Sequence, residues 1–129
     1  MAGPMPGNRV RGSQTGRPIM ALFDLLGRRW LLRIMWEMRD DARLSFRELR
    51  ERCDAMSPTV LNQRLHEMRE AGIVELDEPG GYGLTKPGRQ LLEALLPLQR
   101  WSEHWQRRMS KQAAAEEKPA ARKTGRGSR

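Results

Sequence analysis

Residues 57–72 read SPTVLNQRLHEMREAG, and this stretch decides the fold. Ser57 is a favourable N-cap, and Pro58 suits the first position of a helix. Gly72 suits the left-handed conformation that ends one. The apolar side chains between them recur at helical spacing and share one face; they are Leu61, Leu65 and Met68. The stretch therefore predicts an amphipathic helix that continues through Ala71.

A shorter capped helix precedes this one. Ser45 and Glu48 have the spacing of a capping box, in which each side chain accepts a hydrogen bond from the backbone amide of the other. Phe46 and Leu49 follow on a core-facing side, and the helix is expected to stop near Cys53. A short helix, a tight turn and a longer helix make a helix-turn-helix motif.

The segments around this motif complete the predicted fold. Residues 73–77 alternate apolar and acidic residues like an exposed strand, and residues 82–84 return after a Pro-Gly-Gly turn, which predicts a two-stranded wing. Two helices precede the motif. One long helix capped by Thr85 follows it, and Pro97 is expected to bend this helix rather than end it. The predicted fold class is mainly α with a small β-hairpin: a winged helix-turn-helix with a long C-terminal helix.

The net charge of +8 lies at the two ends of the chain. Residues 1–17 carry three arginines and no acid, and residues 107–129 carry eight basic and two acidic residues. Residues 18–106 have 13 basic and 14 acidic residues. The low apolar content of both ends favours disorder. We expect disordered basic tails at 1–17 and 110–129 around a domain at 18–109. The tails would serve either solubility or weak, sequence-independent phosphate binding.

Several classes of protein do not fit this sequence. No stretch approaches the roughly 18 uninterrupted apolar residues of a membrane span, and the first residues lack the apolar run of a secretory signal. Cys53 is the single cysteine, which rules out an internal disulfide framework. His66 and His104 lack the spacing of a zinc site. We expect a soluble cytoplasmic protein with no metal, no cofactor and no enzymatic activity.

The side of the capped helix opposite its apolar stripe carries Thr59, Asn62, Gln63 and His66. Asn and Gln can pair with adenine through two hydrogen bonds in the major groove of DNA, and Thr can contact a base edge or a thymine methyl. The first turns of a recognition helix are the part that meets the bases. We therefore expect Thr59, Asn62 and Gln63 to read bases in duplex DNA. The alternative is an ordinary solvated face.

Four further residues are expected at the DNA backbone. Arg47 and Arg50 lie three residues apart on the outer side of the first motif helix, where they could hold phosphates. Ser57 stands at a helix N-terminus, which favours an anion. Arg64 flanks the polar face and would meet either a phosphate or Glu67. For Arg47 and Arg50 the alternative is a solvated surface with local ion pairs.

Several segments resemble the HxlR-type branch of winged-helix regulators, which are MarR-like. They are residues 25–30 (LLGRRW), 46–49 (FREL), 57–65 (SPTVLNQRL), 72–74 (GIV) and 82–85 (YGLT), followed by Gly88 and Trp101. The resemblance implies a bacterial-type transcription regulator that acts as a homodimer. It also implies that the first and last helices supply the dimer contact.

The last helix supports that implication. Trp101 and Trp105 lie four residues apart on one helical face, and so much apolar surface is more stable buried than exposed. The residues expected in the dimer interface are Leu22, Leu95, Leu98, Trp101 and Trp105. The alternative is packing within one subunit. The expected partners are thus a second copy of the chain and a near-palindromic operator in duplex DNA; the sequence indicates no particular effector.

The sequence departs from the family in two places. Several members carry a redox-sensing cysteine just before the Pro of the first helix, where this chain has Arg17; Cys53 is expected to be a buried filler. The family's wing is usually longer, with Pro and Arg near its tip, whereas residues 75–81 are short and acidic. We hypothesise that the basic C-terminal tail supplies the phosphate contacts that such a wing would not make. A winged-helix protein-interaction module without specific DNA binding remains the alternative function.

Overall fold

The computed structural model describes residues 3–8 and 16–126, and for residues 118–126 it describes the backbone alone. The fold class is confirmed: the structure is mostly helical with one antiparallel hairpin. Its elements are α1 (Pro18–Leu26), α2 (Leu31–Glu37), α3 (Phe46–Arg52), α4 (Pro58–Glu70), β1 (Val74–Asp77), β2 (Gly81–Leu84), α5 (Lys86–Leu95) and α6 (Pro97–Arg126). The chain divides into two compact units, residues 1–92 and 93–129.

The helices α3 and α4 begin at the predicted caps. Ser45 Oγ accepts from the Glu48 amide at 3.0 Å, and Glu48 Oε1 accepts from the Ser45 amide at 2.9 Å. These bonds favour the charged carboxylate, so they lower the pKa of Glu48 below its ordinary value. Ser57 Oγ accepts from the Val60 amide at 3.3 Å, and Gly72 follows α4 with a φ of 78°. Local sequence therefore sets the limits of both motif helices.

The turn between α3 and α4 is held by side chains. Asp54 and Ala55 both adopt left-handed conformations, with φ of 57° and 54°. Arg50 Nε donates to the Met56 carbonyl at 2.7 Å from one side. Arg33 of α2 donates to the Arg52 carbonyl at 2.6 Å and contacts Asp54 at 3.3 Å from the other. These contacts stabilise the strained turn and fix the direction in which α4 leaves it.

The core of residues 1–92 is built from the apolar faces of α2, α3 and α4. Full burial of one such side chain contributes about 1.5–3 kcal/mol relative to leaving it exposed. The largest fully buried side chains are Leu31, Ile34, Met35, Met38, Leu49, Cys53, Leu61, Leu65 and Met68. The predicted apolar stripe of α4 is thus confirmed as core.

The wing is tied to the rest of the unit at both ends. β1 and β2 pair antiparallel with Val74 opposite Leu84, and Leu44 extends the ladder by exchanging two backbone hydrogen bonds with Tyr82, at 2.9 and 2.7 Å. At the other end, Gly88 packs so closely that an added Cβ would lie 2.1 Å from the Ile73 carbonyl oxygen. Only glycine permits this approach, so Gly88 allows the start of α5 to pack against the start of the wing.

The predicted bend at Pro97 is a break. The helix α5 ends at Leu95, and α6 begins at Pro97. Proline has no amide hydrogen, and its ring collides with the carbonyl four residues earlier, so it can terminate one helix and begin the next. The Gln99 amide donates to the Leu96 carbonyl at 2.9 Å, which is the first turn of the new helix.

Parts of both predicted tails belong to the described structure. In the predicted tail at 110–129, the helix α6 continues to Arg126. In the predicted tail at 1–17, Pro4 is buried and the Gly3 amide donates to Glu70 Oε1 at 3.4 Å. The disorder of both tails stays a prediction, and its parts at residues 1–2, 9–15 and 127–129 lie outside the described residues.

Candidate nucleic-acid interface

The polar face of α4 is exposed along its first two turns. Thr59, Asn62 and Gln63, the predicted base-reading residues, are all exposed, as is His66 one turn further on. The opposite side of the helix is sealed by core residues. The structure thus presents amide and hydroxyl groups to solvent on a helix with a capped N-terminus. Their contact with bases stays a prediction.

The four residues predicted at the DNA backbone have different surroundings. Arg47 and Ser57 are exposed. Arg50, however, donates to the Met56 carbonyl within the motif turn. The Arg64 side chain is 14% exposed; it donates through Nε to the Arg29 carbonyl at 2.8 Å and through Nη1 to Glu67 at 3.0 Å. Both guanidinium groups thus brace the fold, and the contact of these four residues with phosphates stays a prediction.

A buried carboxylate of α4 connects Arg64 to the turn between α1 and α2. Glu67 is 4% exposed, and its two oxygens accept from Arg28 at 2.9 Å and from Arg64 at 3.0 Å. Arg28 also contacts Asp24 of α1 at 3.3 Å. A charge removed from water is stable only when paired and hydrogen-bonded, as this one is. The network holds α4 against the turn between α1 and α2.

Sequence reasoning missed the importance of Glu67. Its helical position lies outside the apolar stripe of α4, and the sequence offered Arg64 as a possible neighbour without showing that the pair would be covered. The cover comes from the α1–α2 turn, where Trp30 adopts a left-handed φ of 75°. That contact joins segments about 40 residues apart, so no local pattern could reveal it.

The wing is short and acidic, as the sequence indicated, although one of its charges is neutralised. Arg43 Nη2 lies 2.5 Å from Glu75 Oε2. The Arg43 stem crosses Gly83, where an added Cβ would meet Arg43 Cδ at 2.7 Å. Asp77 and Glu78 at the tip are exposed. Exposed carboxylates at the tip would be repelled by phosphates, which weighs against insertion of this wing into a minor groove.

The helix α6 exposes a large apolar surface. Trp101 and Trp105 are 56% and 50% exposed, and their rings stack with centroids 5.7 Å apart. Leu98 is also exposed, whereas Leu22 and Leu95 are half-buried. Sequence reasoning missed Ile19 and Phe23, which lie four residues apart and exposed on α1. Their apolar character at helical spacing was visible, but which side of α1 faces the core was not.

Among the residues that the structure describes, no group of three or more His, Cys, Asp or Glu side chains is arranged to hold a metal ion. None of their helices combines the length and the apolar character required to cross a membrane.

The sequence and the fold of this chain are similar to those of known proteins. A model of the HxlR-like helix-turn-helix family matches residues 25–110. The chain belongs to this family. The resemblance deduced from the sequence is therefore confirmed, and membership of the HxlR-like family supports assignment as a winged helix-turn-helix protein of DNA-binding transcription regulation.

Three individual proteins are similar to this chain. The HTH-type transcriptional regulator MJ0925 of Methanocaldococcus jannaschii is 26% identical over 90 residues, covering 67% of this chain and 83% of that protein. A possible HxlR family transcriptional factor from Thermoplasma volcanium is 25% identical with a TM-score of 0.60, covering 67% of this chain and 82% of that one. Quinone-bound YodB from B. subtilis is 30% identical with a TM-score of 0.61, covering 67% and 94%.

Cys53 has the surroundings of a structural residue in this HxlR-like chain. It is fully buried at the C-terminal end of α3. Burial raises the pKa of its thiol above the ordinary value, because a thiolate is poorly solvated there. The thiolate is the reactive form, so the geometry gives Cys53 little reactivity.

Proposed function

We propose that two copies of this chain bind a near-palindromic operator in duplex DNA and thereby regulate transcription. The observation that carries the proposal is the exposed face of α4, where Thr59, Asn62 and Gln63 lie opposite the buried stripe of the same helix. Lysine and glutamate would suffice for a merely solvated face. Amide side chains instead offer the paired donor and acceptor that adenine matches in the major groove.

The contacts that hold α4 in place support its role as a recognition helix. Its start is fixed by the Ser57 cap and by the hydrogen bond from Arg50 of α3 to the Met56 carbonyl in the preceding turn. Its third turn is fixed by Glu67, which pairs with Arg28 and Arg64. A helix held at both ends presents its polar face in one orientation, which the recognition of DNA bases requires. Arg47 and the N-terminus at Ser57 are then the groups that contact phosphates and set the register.

The exposed apolar surfaces support a homodimer. The exposed aromatic side chains are Trp101 and Trp105 on α6 and Phe23 on α1. Together they expose more apolar surface than a monomer commonly leaves in contact with water. A two-fold axis would place two recognition helices in successive major grooves, roughly 34 Å apart. That arrangement predicts an operator with two related half-sites. The relatives named above are transcription regulators, which favours a regulatory role over an enzymatic one.

Selection of bound sites from a random DNA library, followed by affinity measurement at near-physiological salt, tests the proposal. We expect a near-palindromic consensus that binds roughly a thousandfold tighter than random duplex. A variant with Asn62→Ala and Gln63→Ala should lose most of that preference. The matched control is Arg69→Ala, because Arg69 is also exposed and lies later on α4. This control should keep the preference for the consensus.

The competing function is a protein-interaction module, which the exposed acidic wing tip favours. That function predicts no consensus and equal affinity for all duplexes. Such a result from a folded full chain would overturn the proposal.

A further inference from the structure

The domain without its tails has almost no net charge. Residues 18–106 carry 13 basic and 14 acidic residues. Arg50 and Arg64, which could have held phosphates, are bonded to backbone carbonyls. Asp77 and Glu78 expose negative charge at the wing tip. Affinity for duplex DNA depends strongly on cations that replace its condensed counterions. Residues 18–106 therefore provide little net positive charge for binding to phosphates.

Additional positive charge for DNA binding lies beyond the segment that matches the family. The match ends at residue 110, and the two similar solved structures described above cover 67% of this chain. Residues 111–129 form what we call the basic extension. It carries six cations against Glu116 and Glu117; the cations are Lys111, Lys118, Arg122, Lys123, Arg126 and Arg129.

The backbone of the extension gives these charges an order. The helix α6 continues without interruption to Arg126. Positions 111, 118, 122 and 126 succeed one another at intervals of seven, four and four residues, which keeps them on one side of a helix with 3.6 residues per turn. Arg107, Arg108 and Lys111 are exposed where this row begins. These four positions therefore succeed one another along one side of the α6 backbone.

We propose that the basic extension is a second DNA contact, which binds backbone phosphates without reading sequence and replaces the contacts that the acidic wing cannot make. The proposal rests on the DNA-binding function proposed above. DNA is favoured over an anionic membrane surface because residues 111–129 contain no large apolar side chain. A helix that lies on a membrane needs such side chains to insert.

The salt dependence of DNA binding tests the proposal. Four proteins are compared: the full chain, a chain ending at Ser110, a full-length variant with all six cations of the extension changed to Gln, and a control with Glu116→Gln and Glu117→Gln. Affinity for the selected operator and for random duplex is measured from about 50 to about 200 mM salt. Thermal unfolding and sedimentation verify that each protein is folded and keeps the same oligomeric state.

The truncated chain and the six-Gln variant should both show a shallower slope of log affinity against log salt. The reduction should be about 0.9 for each phosphate that the altered protein no longer neutralises. Six cations in each subunit set a ceiling of about 5 per subunit, or about 11 for the proposed dimer. The ratio of operator to random affinity should stay the same, because the extension reads no bases. The glutamate control should keep the slope or steepen it.

Unchanged slopes would overturn the proposal, as would a truncation effect that the six-Gln variant does not reproduce. Binding of the full chain to phosphatidylserine vesicles, combined with an unchanged DNA slope, would assign the extension to membranes instead. If the full chain did not prefer any operator, the proposed function would fail, but the slope on random duplex would still decide the role of the extension.

Discussion

Neighbouring residues on α4 have opposite surroundings. Asn62 and Gln63 are exposed, whereas Arg64, the next residue, is nearly covered and bonded to Arg29 and Glu67. The difference follows from helical geometry, because a step of about 100° per residue turns a side chain from the solvent to the rim of the core. One turn of helix therefore combines two groups available to DNA with one that fixes the helix.

Gln63→Ala and Arg47→Ala should weaken DNA binding in different ways. The loss of Gln63 should cost about 1–3 kcal/mol on the preferred operator and relax the preference at one base pair. Arg47→Ala should weaken all sequences alike and reduce the salt slope by about one for each subunit, or about two for the dimer. Affinities for the operator and its single-base variants measure both effects. A uniform loss across sequences for Gln63→Ala would contradict base reading by Gln63.

Cys53 should resist alkylation in the folded protein. The side chain is buried, and the raised pKa of its thiol lowers the thiolate fraction at neutral pH. Ser110→Cys places a second thiol at an exposed site on α6 as an internal control. With a maleimide reagent, that variant should label in a fast and a slow phase, and both thiols should label fast in urea. Equal native rates would show that Cys53 is accessible.

At the scale of elements, the motif is held by charged contacts as well as by its core. Arg33 of α2 contacts the α3–α4 turn, and Arg28, which follows α1, contacts Glu67 of α4. The wing is held by Leu44 and by the close approach of Gly88 to Ile73. The position of α4 thus depends on side chains from distant parts of the chain.

Glu67→Ala should destabilise the fold by about 3 kcal/mol, near the lower end for removing one partner of a buried ion pair. Arg28 and Arg64 would lose their shared acceptor, but both are partly exposed and can still reach water. Urea unfolding measures the loss. Glu70→Ala is the matched control on the same helix; its carboxylate is 35% exposed, so the change should stay within about 1 kcal/mol. Equal losses would mean that the Glu67 pairs contribute little.

Local sequence predicted these elements well and their contacts poorly. The Ser45–Glu48 box and the end of α4 at Gly72 depend on residues within one turn, and both are confirmed. The break at Pro97 was predicted as a bend, because a proline permits either outcome and the packing of the flanking helices decides between them.

At the scale of the whole molecule, α6 carries apolar and basic residues that residues 1–92 do not require for their core. Trp101, Trp105 and Met109 are exposed near the start of α6, and the basic extension follows. The proposed dimer contact and the proposed phosphate contact therefore occupy successive parts of one helix. This order allows the extension to be removed without removing the tryptophans.

Trp101→Ala with Trp105→Ala should convert a dimer into a monomer. Truncation of one central interface Trp can cost about 2 kcal/mol, which is roughly a thirtyfold rise in the dimer dissociation constant. The double variant removes two such side chains from each subunit, so its rise should be larger. Sedimentation over a range of protein concentrations measures this constant. Arg107→Ala, an exposed change on the same helix, is the control and should leave it unchanged. A full chain that is monomeric, or a double variant that stays dimeric, would contradict the predicted interface.

Local sequence was enough to predict the limits of α3 and α4, the wing and the polar face of α4, because caps, turns and helical periodicity act over a few residues. The tertiary structure alone decided that Arg50 and Arg64 brace the fold and that Glu67 is buried. For Arg64 and Glu67, the contacts that settle this, from the Arg29 carbonyl and the Arg28 guanidinium, lie 35 and 39 residues away in the chain. Whether a charged side chain faces phosphate or protein depends on what folds over it, and no local pattern carries that information.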